Sequence, residues 1–118
     1  MVLWFKRYDS MSLLYDFDVD SVQDLLACLS ANVKQRRLEK GLSRSALSLM
    51  SGVPVPTIAK FEQKHCISLQ SFVALAKALG YSSEVKRLLD EPKFSTMEEL
   101  DTINRNKNRK RGKNEFDK

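Results

Sequence analysis

Five side chains between positions 44 and 64 are of types that work on a polyanion: Arg44, Ser45, Thr57, Lys60 and Lys64. Arginine and lysine carry lasting positive charge and donate hydrogen bonds to oxyanions, and serine and threonine add neutral donors. Catalysis calls for other arrangements. There is no Ser-His-Asp order, no glycine-rich phosphate loop and no pair of acids set for proton transfer. Neither an enzyme nor a resident cofactor is expected. Charge is concentrated where these residues lie. Residues 34–64 carry a net +5 and residues 101–118 a net +4, against −3 for residues 1–33 and −1 for residues 65–100. Two basic zones on a near-neutral body fit a polyanionic partner, and a merely solvated charged face is the plain alternative.

The elements that position these residues read as helices. "DVDSVQDLLACLSANVKQRRLEKG" predicts a long first helix, with Asp20 and Gln23 in capping-box spacing and Gly41 just past its end. Val22, Leu25, Leu26, Leu29, Val33 and Leu38 recur at roughly helical spacing along it. Ser43 is the expected N-cap of a second helix, "RSALSLMS", whose inner face is Ala46, Leu47 and Met50. After Gly52-Val53-Pro54 a third helix begins as "VPTIAKFEQ". Proline is tolerated in a first helical turn, because the N–H it lacks has no intrahelical acceptor there. Pro54 and Pro56 therefore stop the second helix from running on and force a sharp turn. Ile58 and Phe61 then point inward, and Thr57 and Lys60 point out. Ser68 caps a fourth helix lined by Leu69, Phe72, Val73, Leu75, Ala76 and Leu79 and closed by Gly80. A short fifth, "SEVKRLLD", is capped by Ser82 or Ser83 and stops before Pro92. Ser95 and Glu98 mark a last short helix.

A helix of about two turns, a glycine turn and a helix with small or polar residues at its start form the helix-turn-helix pattern. In that arrangement the first helix crosses the phosphates, and the start of the second meets base edges in the major groove. The expected fold is all-α: a five-helix lambda-repressor-like domain over residues 20–92, preceded by an arm, 1–19, and followed by a short helix and a basic disordered tail, 93–118. The tail's poverty in apolar residues leaves it no ordering energy of its own.

"LSRSALSLMSGVPVPTIAKFEQ" resembles the Cro or phage-repressor type of helix-turn-helix, also called XRE-type. The matching residues are Ala46-Leu47-Ser48, Gly52-Val53-Pro54, Thr57-Ile58 and Glu62, and the resemblance covers about residues 21–90. It implies an ion pair between an arginine late in the first helix, here Arg37, and the closing Glu62. It also implies binding to double-stranded operator DNA. Dimerisation follows from the need to read a pseudo-palindrome with half-sites about one helical turn apart. Where Pro54 and Pro56 stand, the family often carries a polar residue. Proline has no donor, so base specificity is expected from Thr57 and Lys60, with Val55 against a thymine methyl and Arg44 and Ser45 on phosphate. Pro56 and Lys64 complete the DNA-facing set.

A narrower resemblance lies further along. "KHCISLQSFVALAKALG", "LLDEPKFSTMEEL" and the basic run "NRKRGK" are similar to antitoxins of the HipB type. These repress their own operon and bind a HipA-like serine/threonine kinase toxin, in some systems split into two chains. Two competitors stand beside this reading. One is a free-standing phage-type or metabolic repressor without a toxin. The other is an interaction module that mainly sequesters a protein.

The remaining features are plain. Cys28 and Cys66 read as buried reduced thiols, and with His65 they lack metal-ligand spacing, so no metal is expected. His65 reads as a surface histidine. Trp4 and Phe5 read as core or dimer contacts. No apolar run is long enough for a membrane span, and the charges in "MVLWFKRYDS" come too early for a signal peptide, so the expected location is the cytoplasm.

Overall fold

The computed structural model describes residues 20–112. The expected arm, 1–19, lies outside the described residues, as does the end of the basic tail, 113–118. Among the described residues there are six helices and no strand. They are α1 (Val22–Glu39), α2 (Arg44–Ser51), α3 (Val55–Lys64), α4 (Leu69–Ala78), α5 (Ser82–Arg87) and α6 (Met97–Asn106). The chain divides between Val85 and Lys86 into two compact units. The architecture is the expected all-α one, with the last short helix present.

Most helix ends follow from local chemistry. Ser43 Oγ accepts from the Ala46 N–H at 3.0 Å, and Ser68 Oγ from the Ser71 N–H at 3.1 Å, so α2 and α4 start where their serines place them. Gly41 follows α1 at φ 71°, with the Leu42 N–H on the Arg37 carbonyl at 3.1 Å and its own N–H on Leu38 at 2.9 Å. That pair of bonds closes the helix and needs the left-handed residue that glycine supplies most cheaply.

Three starts differ from expectation. α1 is capped by Ser21, not Asp20. The Ser21 hydroxyl accepts from the Asp24 N–H at 3.0 Å, and the Asp24 carboxylate accepts from the Ser21 N–H at 3.1 Å. Both pairs have the same spacing. An ionised Asp in the first turn also favours the positive end of the helix dipole, which neutral Gln23 cannot do. In α6 the cap is Thr96 rather than Ser95. The Thr96 hydroxyl accepts from the Glu99 N–H at 3.1 Å, and the Glu99 carboxylate, not that of Glu98, accepts from both the Ser95 N–H and hydroxyl, at 3.1 and 2.8 Å. The hydrogen bonds from Ser95, hydroxyl first and then backbone, hold the Glu99 carboxyl below its ordinary value. α5 starts from the Tyr81 carbonyl, which takes the Val85 N–H at 3.0 Å, and ends at Arg87, short of the expected Asp90.

The core of the first unit joins α1 to α4. Leu47, Ile58, Phe61 and Leu75 are fully buried, with Val33, Val53 and Leu79 around them and Leu42, Ile67 and Phe72 at the margin. Phe61 and Phe72 meet edge to face, with centroids 5.9 Å apart. Each such side chain contributes about 1.5–3 kcal/mol by leaving water. Met50 and Leu69, expected inward, are 53% and 77% exposed. α2 has only two turns, and Leu47 is its one fully buried position. The apolar stripe of α1 also misleads. Val22, Leu25, Leu29 and Leu38 are exposed, and the buried positions are Ser30, Val33 and Arg37. Among the described residues no helix is long and apolar enough to cross a membrane.

Candidate nucleic-acid interface

The turn between α2 and α3 sets the site. Gly52 takes φ 79° and donates to the Ser48 carbonyl at 2.8 Å. Ser51 Oγ donates to the Leu47 carbonyl at 2.7 Å and accepts from the Val53 N–H at 3.1 Å. Val53 is then buried beneath the turn. Pro54 is the N-cap of α3 rather than part of its first turn; Pro56 lies inside that turn. The Pro54 carbonyl accepts from the Thr57 and Ile58 N–H groups at 3.0 and 3.1 Å. The prolines thus stop α2 and start α3 without any side-chain cap.

With Ile58 and Phe61 inward, α3 turns its other side out. Pro56, Lys60 and Lys64 are exposed and, four residues apart, run in one line along the helix. Val55 and Thr57 are half-buried beside them, and Ser45 is exposed near the start of α2. The sequence-predicted contacts on α3 therefore share one helix and its solvent side.

Behind α3 sits a charge cluster. Arg37 Nε and Nη2 donate to the two Glu62 oxygens at 2.8 and 3.0 Å, and Nη1 donates to the Leu42 carbonyl at 2.8 Å. Both side chains are buried, Glu62 at 1% exposure. Arg44 Nε adds a third donor to Glu62 at 3.1 Å, from a side chain 33% exposed. Burial pushes the Glu62 carboxyl up, but the hydrogen bonds and charges of Arg37 and Arg44 outweigh it and hold the group below the usual carboxylate value. Carboxylate and guanidinium forks match in shape, so this geometry fixes α1, α2 and α3 against one another. Sequence reasoning missed the Arg44–Glu62 contact, since 18 residues separate the partners and no local rule links them.

His65 is not simply a surface residue. It ends α3 with φ 63° and sits half-buried, its Nδ1 2.6 Å from the buried Ser30 Oγ on α1. Ser30 is also 3.1 Å from the Ala27 carbonyl; a hydroxyl hydrogen given there makes Nδ1 the donor to Ser30. Cys66, expected buried, is exposed, and Cys28 is intermediate; neither is in a disulfide. Among the described residues no group of three or more His, Cys, Asp or Glu could hold a metal ion.

Residues 33–86 match the family model HTH_3, Helix-turn-helix. No match was found among curated proteins or among solved structures. The matched segment runs from the second half of α1 into α5 and contains the turn, the core and the charge cluster. Residues 33–86 are therefore similar to the helix-turn-helix domains that this family model describes.

Proposed function

We propose that the chain binds double-stranded operator DNA as a symmetric homodimer and represses transcription, with α3 in the major groove. The observation that carries this reading is the line of Pro56, Lys60 and Lys64 on a helix whose opposite side is locked into the core. Thr57 and Lys60 donate to base edges, Val55 and Pro56 give apolar contact, and Arg44, Ser45 and Lys64 take phosphates. Selection from random duplexes, followed by anisotropy titration, tests this. A pseudo-palindrome with half-sites about one helical turn apart supports it. Enrichment of no sequence refutes it.

At finer grain the chain is the antitoxin of a HipA-like serine/threonine kinase toxin, whole or split, and represses the operon that encodes both. The HipB-like runs after α3 and the basic "NRKRGK" support this. Coexpression with the neighbouring genes, followed by size-exclusion chromatography, is the test. A kinase-like protein that coelutes supports the antitoxin, and a lone dimer makes the chain a free-standing repressor.

A further inference from the structure

We infer that Glu62 is a positioning residue for DNA contact: it holds Arg44 by its Nε and leaves the terminal nitrogens of that guanidinium oriented for a backbone phosphate. The inference rests on the DNA-binding reading above and names what sets one of its phosphate contacts.

The charge balance of the cluster points this way. One carboxylate faces two guanidinium groups, so one positive charge is in surplus. Arg37 does not offer it outward. Its Nε, Nη1 and Nη2 all donate within the protein, and its side chain is 7% exposed. The surplus therefore resides on Arg44, at the first position of α2, with a third of its side chain in solvent. Arg44 binds Glu62 through Nε at 3.1 Å. A guanidinium is planar, so fixing Nε restricts the plane of the two terminal nitrogens as well. An unrestrained surface arginine must be immobilised when it meets a phosphate, whereas Arg44 is held beforehand. Glu62 is itself fixed by Arg37, with both oxygens occupied.

The rival reading is that Arg44 only helps close the cluster. The two readings predict opposite signs for one substitution. Glu62→Gln removes a negative charge from a DNA-binding protein. Simple electrostatics then tightens binding, whereas loss of positioning weakens it.

The experiment is an anisotropy titration of the full chain against a labelled pool of random-sequence duplexes, because phosphate contacts do not depend on sequence. Circular dichroism melts establish which variants fold. Arg44→Ala is expected to weaken binding about tenfold, the worth of one charge-assisted hydrogen bond, and to make the log–log salt slope shallower by about 0.9. Glu62→Gln is expected to weaken binding several-fold in the wild-type background and to cause no further loss in the Arg44→Ala background. A folded Glu62→Gln that binds as well as wild type, or more tightly, overturns the inference. If Glu62→Gln does not fold, Arg44→Lys decides, since it keeps the charge without the planar fork. Binding as weak as that of Arg44→Ala supports positioning, and binding equal to wild type overturns it. A wild-type chain that does not bind the pool at low salt overturns the DNA reading itself, and the inference with it.

Discussion

At the residue scale, the side chains that hold α3 and those proposed to meet DNA are mostly different. Lys60 is exposed on α3. We predict that Lys60→Ala costs about 1–3 kcal/mol on the selected operator and relaxes specificity there. Equal loss on random duplexes would reassign Lys60 to a phosphate. Arg37 belongs to the other group. Removing one partner of a buried pair costs about 3–5 kcal/mol, and Arg44 stays on Glu62, so Arg37→Ala should sit near the lower end. Thermal and denaturant unfolding measure this, and an unchanged melting temperature would contradict it. Glu62 also gives a pH dependence. Its folded carboxyl is held below the ordinary value, burial notwithstanding, by Arg37 and Arg44. Its contribution to stability is therefore complete above the unfolded value, about 4.3, and is lost as pH falls through the lower folded value. The melting temperature should drop in that acid window, and Glu62→Gln should flatten the drop; equal slopes for both proteins would refute the assignment.

At the element scale, what was legible in the sequence is what short-range chemistry decides. Ser43, Ser68, Gly41 and Gly80 mark helix ends because each acts on a backbone group a few residues away. Ser43→Ala should therefore cost about 1 kcal/mol, read as a shift in denaturant midpoint, and a loss within error would mean that α2 does not depend on its cap. The starts of α1 and α6 were each displaced by one residue, since two overlapping pairs had the same spacing and only the observed hydrogen bonds separate them. The inner face of α1 was the least legible. Two of its three buried residues, Ser30 and Arg37, are polar, and their partners His65 and Glu62 lie 35 and 25 residues away. Apolar periodicity cannot find a face that is held by long-range hydrogen bonds. The exposed side of α3 was legible because the prolines and the inward Ile58 and Phe61 leave few positions outside.

For the whole molecule, charge segregation bears on the proposed encounter with DNA. Residues 34–64 carry a net +5, so affinity should fall with salt at a log–log slope of about −0.9 per phosphate neutralised. A flat titration would exclude this mode. Residues 107–118 add a net +4 beyond α6. Deleting them should lower DNA affinity at low salt while leaving the melting temperature of the remainder unchanged; undiminished affinity would make the segment irrelevant to DNA. The paired prolines before and within the first turn of α3 have a consequence for how such a protein changes over time. Because the helix starts without borrowing any side-chain cap, none of Val55, Thr57 and Lys60 is needed to cap it, and Lys60 is exposed as well. In the proposed DNA-binding role, exchange of Lys60, with changes at half-buried Val55 and Thr57 that keep their size, would give the domain a new target sequence while the start of α3 is inherited unaltered.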